Sequence, residues 1–172
     1  MEIVLFTPEN LLSSLPQFVA LLQDTVNGGA SVGFLPPLDS HTAEAYWRGV
    51  VTDGVILLAV MEEGRVVGTV QLALAEKANA RHRAEVQKLM VLTEFRGRGI
   101  ARRLMERLEE IAVEHGRSLL VLDTRRGDVA ESLYHKLGYI EAGAIPLFAL
   151  SANGELHDTV ILYKPLKIEE PK

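Results

Sequence analysis

The segment from Gln87 to Ala101 constrains the fold more than any other part of the chain, and it reads Q-K-L-M-V-L-T-E-F-R-G-R-G-I-A. Its apolar first half predicts a buried strand, and its second half predicts a tight turn that opens a helix. A helix N-terminus offers unpaired backbone N–H groups and the positive end of the helix dipole. The segment therefore predicts an anion site built from backbone, of the kind that binds a diphosphate.

Four consecutive residues of this turn are expected to have free N–H groups, namely Arg96, Gly97, Arg98 and Gly99. The glycines lack a β-carbon, so a bulky anion can approach the main chain. The arginines can add charge and forked hydrogen bonds. The competing interpretation is an ordinary surface turn with arginines for solubility. It explains each residue separately, whereas an anion site explains the whole cluster.

Two common phosphate-binding patterns do not match this turn. A P-loop requires Lys and Ser or Thr after its last glycine, where this chain has Ala101 and Arg102. A dinucleotide-binding fingerprint requires a third glycine, and Arg102 occupies that position. The pattern that does match is R-x-x-G-x-A, which runs from Arg96 to Ala101 directly after an apolar strand.

The composition of the chain excludes several classes of protein and of functional site. A chain of 172 residues predicts one domain, and its net charge of −5 argues against a nucleic-acid partner. The absence of cysteine excludes disulfides, thiolate zinc sites and a cysteine acyl-enzyme, and it fits a reducing compartment such as the cytoplasm. No apolar run is long enough to predict a membrane span. The five histidines show no metal-ligand spacing, so no metal is predicted.

Periodicity predicts the order strand, two helices, three strands, helix, strand, helix, two strands. The predicted strands cover residues 3–6, 55–61, 65–75, 84–92, 119–122, 139–144 and 159–164. The predicted helices run from Thr7-Pro8 to about Leu22, from Asp39 or Ser40 to Val51, over 100–115, and from Asp128 to Leu137 with capping-box spacing. A hairpin is predicted at Glu63-Gly64.

The R-x-x-G-x-A pattern, the strand before it, the helix after it and L-Y-H-K-L-G-Y at 133–139 together resemble the acetyl-CoA signature of the GNAT acetyltransferase family. The element order resembles that family over nearly the whole chain. The resemblance implies one GNAT domain over residues 1–172 of the α/β (α+β) class. Its central mixed, mostly antiparallel sheet would have about seven strands, flanked by about four helices. The resemblance also implies acetyl-CoA as co-substrate and direct acetyl transfer to the amine of a small molecule, and it allows a homodimer.

Three further segments resemble the tabtoxin-resistance-like enzymes of the family, which acetylate a β-lactam amino acid. They are T-V-N-G-G-A-S-V-G-F at 25–34, R-A-E-V-Q-K-L-M-V-L at 83–92 and L-D-T at 122–124. This similarity implies an amino acid, a peptide-like compound or a β-lactam antibiotic or toxin as acceptor, with a role in resistance. One departure is Gly127, where many members have an asparagine that contacts the coenzyme.

The resemblance assigns the binding residues in two groups. Coenzyme contacts fall on Leu89, Met90 and Val91 of the splayed strand, with an oxyanion donor near Met90, and on the turn residues Arg96, Gly97, Arg98, Gly99, Ile100 and Ala101. The 25–34 loop would cover the acceptor through Gly29, Ser31 and Phe34, and its alternative role is a flexible linker between helices.

Amine acetylation also needs a route for the ammonium proton and a donor for the departing thiolate. Glu85 and Asp123 match acidic residues proposed as bases in the tabtoxin-resistance-like enzymes, and either can instead bind the ammonium. The alternatives are a surface pair of Glu85 with Arg83 and a turn contact of Asp123 with Thr124. Tyr134 is the candidate general acid, and its alternative is a buried structural aromatic.

Two functions of other classes compete with a small-molecule acetyltransferase. One is a catalytically silent acetyl-CoA sensor, which the joint presence of the three candidate catalytic residues disfavours. The other is a protein or peptide N-acetyltransferase, which needs an open groove for its substrate.

Overall fold

The sheet of the computed structural model, which describes residues 1–168, has the strand order β1-β2-β3-β4-β5-β7-β6. Its strands are β1 (Glu2–Phe6), β2 (Val55–Glu62), β3 (Arg65–Leu74), β4 (Arg83–Val91), β5 (Leu119–Arg125), β6 (Ile140–Leu150) and β7 (Leu156–Pro165). The helices are α1 (Pro8–Ser13), α2 (Leu15–Asn27), α3 (Ser40–Arg48), α4 (Ile100–Glu114) and α5 (Val129–Lys136), and Thr93–Phe95 form a 3-10 turn.

All neighbouring strands are antiparallel except β4 and β5, which are parallel. The predicted fold class, a mixed and mostly antiparallel sheet of seven strands, is therefore confirmed. Five helices are found within residues 1–168 where about four were predicted. None of these helices is both long and apolar enough to cross a membrane.

The extra helix arises at Pro16, where one helix from Thr7 to Leu22 was predicted. Proline has no N–H to donate and its ring clashes with the preceding turn, so a continuous helix is interrupted there. α1 ends at Ser14, whose N–H donates to the carbonyls of Asn10 and Leu11 at 3.2 and 3.0 Å. The predicted cap at Thr7 is confirmed, because its hydroxyl accepts from the Asn10 N–H.

Several predicted boundaries are wrong in ways that have a physical cause. α3 ends at Arg48 with Gly49 as its cap, and does not reach Val51. β6 continues to Leu150, six residues past its predicted end at Ala144, and β7 starts at Leu156. Most of β6 is exposed, so it shows no apolar alternation that would predict its length. The hairpin at Glu63-Gly64 is confirmed between the paired residues Glu62 and Arg65.

The parallel contact between β4 and β5 is short. Only three residue pairs form, from Arg83 opposite Leu119 to Glu85 opposite Val121. β5 then continues to Arg125 in partnership with β7, while β4 continues to Val91 in partnership with β3. The two strands therefore separate after Glu85 and leave a gap between them in the middle of the sheet.

The start of α4 is packed closely onto β3 and β4 at Gly68. A β-carbon at Gly68 would lie 3.0 Å from Cγ2 of Ile100, 3.1 Å from the carbonyl oxygen of Met90 and 3.3 Å from Cγ2 of Val91. Ile100 is the first residue of α4 and is 2% exposed. Glycine at position 68 therefore sets how closely the N-terminus of α4 approaches the sheet.

We predict that Gly68→Ala lowers the free energy of unfolding by about 1–3 kcal/mol, because the added methyl overpacks this contact. Urea denaturation measures the loss. The matched control is Gly49→Ala, whose β-carbon would meet only backbone atoms at 3.8 and 3.9 Å. The control should be close to neutral. Equal stability of the two variants would contradict the close-packing argument.

Candidate active site

A row of unpaired amides lies between the 3-10 turn and the first turn of α4. The N–H groups of Gly97, Arg98, Gly99, Ile100 and Ala101 have no acceptor within residues 1–168. The last two belong to the first helical turn, whose amides have no partner inside a helix. We call these five residues the amide cradle. They lie at the positive end of the α4 dipole, so they suit an anion.

The prediction of a free amide at Arg96 is wrong. Its N–H donates to the Thr93 carbonyl at 3.3 Å and closes the 3-10 turn. Gly97 and Gly99 both have φ of +76°, a left-handed conformation that glycine adopts at no steric cost. A β-carbon at either glycine would meet no protein atom within 4 Å, so the amide cradle is open on that side.

The guanidinium groups of both arginines in the turn contact other protein groups and do not contact the amide cradle. The Arg98 guanidinium lies 4.7 Å from the centroid of the Phe95 ring and 3.6 Å from the Glu62 carboxylate. The Arg96 Nε donates to the Val91 carbonyl at 3.2 Å. In this arrangement the backbone amides are free, and the predicted forked hydrogen bonds from the two arginines to an anion stay a prediction.

The free edge of β4 leads from the gap to the amide cradle. Leu92 donates its N–H to the Val67 carbonyl of β3 at 2.9 Å. Backbone groups alternate between the two sides of a strand, so those of Met90 also face β3, while those of Leu89 and Val91 face the gap. The Met90 N–H is therefore not available to a ligand in the gap. The candidate for the predicted oxyanion donor near Met90 becomes the N–H of Leu89.

A cavity of about 360 Å³ lies at the gap, and we call it the central cavity. Its lining brings together all three candidate catalytic residues, Glu85, Asp123 and Tyr134, along with Ser31 from the loop after α2. Gly29 and Phe34, the other predicted substrate residues, line an adjoining cavity of about 210 Å³, which Ser31 also borders.

Asp123 is held in place by a threonine of the neighbouring strand. Its Oδ2 lies 3.0 Å from the Thr159 hydroxyl, which lies equally near the Thr124 carbonyl and shares its one proton between these two acceptors. Thr159 is 3% exposed. The alternative contact with Thr124 is not found in the described chain, and neither is an ion pair of Glu85 with Arg83. Both carboxylates are exposed to the cavity. They are therefore available to a ligand.

Tyr134 lies on α5 and is 6% exposed. Burial raises the pKa of its phenol well above the ordinary value, and the nearby carboxylates of Asp123 and Asp128 add to the increase because they disfavour a phenolate. The group is therefore a hydrogen-bond donor at neutral pH. The predicted capping box on α5 is wrong, because Glu131 accepts from the Gly127 N–H at 2.6 Å and the Asp128 side chain makes no cap bond.

Lys88 also lines the central cavity, and the sequence analysis missed it. It is partly buried in β4, with its Nζ 5.7 Å from the centroid of the Tyr46 ring. Tyr46 in turn exchanges hydrogen bonds with Gln71. The signal available in the sequence was a lysine directly before the apolar run Leu89–Val91 and three residues after Glu85.

One acidic cluster lies outside the cavity. Glu131, His135 and Glu141 bring their ligand atoms within 4.8 Å of one another on the surface. Arg126 lies 3.7 Å from Glu131 and 2.7 Å from Glu141, so a protein cation already occupies this position.

A family comparison identifies the class of protein. The acetyltransferase (GNAT) family matches residues 32–139, which is more than half of the chain. The matched segment includes β4, the amide cradle and Tyr134. The chain belongs to this family, so the predicted family and the predicted enzyme class are confirmed.

Individual relatives agree with this assignment. Human N-acetylaspartate synthetase is 37% identical over 89 residues, which cover 51% of this chain but only 28% of that protein. The ribosomal-protein-alanine N-acetyltransferase of Brucella melitensis superposes with a TM-score of 0.80 at 24% identity, over 96% of this chain and 100% of that one. The yncA protein of Salmonella typhimurium, solved with its cofactor acetyl-CoA, gives 0.79 at 19% identity, over 100% and 97%. The two structures show a shared fold.

We predict that stability falls with rising pH partly through Tyr134. Its pKa is higher in the folded state than the ordinary value of 10.0, so the unfolded chain loses this proton first as pH rises above 10. One such group removes about 1.4 kcal/mol of stability between pH 8 and pH 11. Urea denaturation of Tyr134→Phe should therefore show a loss over this range that is smaller by about that amount. An identical pH dependence of the two proteins would contradict the burial argument.

Proposed function

We propose that this protein transfers the acetyl group of acetyl-CoA directly to the amino group of a small molecule. The observation that carries the proposal is the amide cradle at the end of a strand whose free edge leads out of the central cavity. The cradle fits a diphosphate, because its open side has room for a bulky anion and its amides have no protein acceptor. Bound acetyl-CoA would supply an activated acetyl thioester.

The gap-facing edge of β4 supplies the polar contacts along the coenzyme arm. The N–H and carbonyl of Leu89 and the N–H of Val91 can pair with an extended amide chain, as a neighbouring strand would. The Val91 carbonyl already accepts from Arg96 Nε. The Leu89 N–H also lines the cavity side of β4, where it can stabilise negative charge on the thioester oxygen. A preorganised donor of this kind contributes about 3–4 kcal/mol to transition-state stabilisation.

Proton transfer is assigned to the three side chains of the central cavity. Either Asp123 or Glu85 accepts the ammonium proton of the acceptor, or passes it to water. Thr159 holds Asp123 through its hydroxyl, so this carboxylate has the more fixed position. Tyr134, which is protonated at neutral pH, donates its hydroxyl proton to the departing thiolate. The second proton, which the nitrogen loses as the amide forms, restores the Tyr134 hydroxyl.

The acceptor class follows from the cavity. Ser31 and Gly33 of the loop after α2 form part of its wall, so this loop borders the proposed acceptor site. This favours a small acceptor over a peptide. Three catalytic side chains in one cavity favour an enzyme over a silent sensor. The similarity to tabtoxin-resistance-like enzymes supports an amino acid, a peptide-like compound or a β-lactam acceptor. A resistance role, a cytoplasmic location and a homodimer stay predictions.

Gly99→Asp should abolish measurable acetyl-CoA binding, with an affinity loss of about 100-fold or more, because its carboxylate would fill the amide cradle and repel the diphosphate. Isothermal titration calorimetry measures the change. Gly116→Asp is the matched control, since Gly116 also has a positive φ and open space around its β-carbon but lies beyond the C-terminal end of α4. Normal coenzyme binding by the Gly99 variant would show that the cradle assignment is wrong.

Tyr134→Phe should lower kcat by about 100-fold or more, since it removes the proton donor but keeps the ring. The dissociation constant of acetyl-CoA should stay nearly unchanged. Release of coenzyme A with a panel of amines measures turnover, and calorimetry measures binding. Unchanged turnover would exclude Tyr134 as the general acid.

A further inference from the structure

Lys88 presents a partly buried ammonium group whose one cation–π contact in the described chain is with the face of the Tyr46 ring. Within residues 1–168 its Nζ makes no hydrogen bond, and no carboxylate lies within ion-pair distance of 4 Å. Burial lowers the pKa of this lysine, while Asp123 and Glu85 act in the opposite direction from a greater distance. Partial burial disfavours the charged form of this ammonium, and a bound anion would offset the cost.

The backbone conformation that directs the Lys88 side chain into the central cavity is strained. Lys88 has φ of +51°, which is unfavourable for a residue with a β-carbon. It occupies the bulge of β4, where the register with β3 shifts between the pairs Gln71–Gln87 and Thr69–Met90. Strained residues of this type are often found at functional sites, where the surrounding structure maintains the strain.

Lys88 lies near the loop that borders the proposed acceptor site, and it does not lie at the amide cradle proposed for the coenzyme. Its Nζ lies 3.6 Å from the place of a β-carbon on Gly33, in the loop that borders the cavity, and near the Tyr46 ring of α3. The amide cradle lies further along the chain, beyond the end of β4 at Val91 and the 3-10 turn that follows it. The central cavity therefore has carboxylates at Asp123, Glu85, Asp128 and Asp158 and two cations, Lys88 and Arg125. Of the two cations, Arg125 donates to the Ser151 hydroxyl at 3.4 Å, whereas Lys88 makes no hydrogen bond within residues 1–168.

We propose that Lys88 binds a free carboxylate of the acceptor, so the substrate is an amino acid or a similar compound that carries both an amine and a carboxylate. This inference rests on the proposed function. The acceptor amine faces Asp123 and Glu85, while its carboxylate faces Lys88. A singly charged carboxylate suits the site better than a phosphate dianion, because the two protein carboxylates would repel the additional charge.

The test compares each of the twenty L-amino acids with its α-amide as acceptor, using the full-length enzyme and acetyl-CoA. For the best acceptor, the wild type should show a kcat/KM about 10- to 100-fold higher for the free acid than for the amide. Lys88→Gln should lose this preference, mainly through a higher KM for the acid. Lys88→Arg should keep most of it. Affinity for acetyl-CoA should not change in either variant.

Lys77→Gln is the matched control, because Lys77 is exposed in the loop between β3 and β4 and should leave the preference intact. If the wild type accepts acid and amide equally, or if Lys88→Gln retains the wild-type preference, the Lys88 assignment is overturned. Acetylation of only those amines that lack a carboxylate, tested with polyamines and aminoglycosides, overturns it as well and leaves the proposed function standing. Binding of acetyl-CoA without turnover of any amine overturns both.

Discussion

The separation of β4 from β5 is the constraint on which the rest of the site depends. Parallel pairing lasts for three residue pairs, and the bulge at Lys88 then turns β4 away while β5 continues along β7. The backbone of β4 between Leu89 and Val91 consequently has a free polar edge inside the sheet. An unpaired edge in such a place is unfavourable unless a ligand pairs with it, so this arrangement is itself a reason to expect an extended ligand.

The gap between β4 and β5 also determines where charged side chains can contact a ligand. Asp123 from β5, Glu85 from the last paired position of β4 and Lys88 from the bulge reach one cavity, because the strands that carry them diverge there. Tyr134 enters the same space from α5 with its proton retained through burial. The geometry of the sheet therefore accounts for a cavity lined by carboxylates, a protonated phenol and the cations of Lys88 and Arg125.

The sequence predicted the parts of this site that depend on local chemistry. The strand-turn-helix order and the free amides of Gly97, Arg98 and Gly99 follow from motifs that can be read directly. The grouping of Glu85, Asp123 and Tyr134 follows from the family resemblance. The features that it missed depend on tertiary pairing. The bulge at Lys88, the direction of the Met90 backbone and the hydrogen bond from Thr159 to Asp123 all require knowledge of which strands lie side by side. The split at Pro16 was available from local rules and was overlooked.

The chain has a net charge of −5, so its overall field repels a negatively charged coenzyme. The amide cradle overcomes this repulsion at short range. Its attraction comes from oriented N–H groups and the dipole of α4, which act within the first turn of the helix. Arg98 is meanwhile engaged by Glu62 and Phe95. Recognition of the diphosphate in this proposal therefore depends on the fold of residues 97–101, because the specificity lies in the arrangement of backbone amides and not in a cluster of basic side chains.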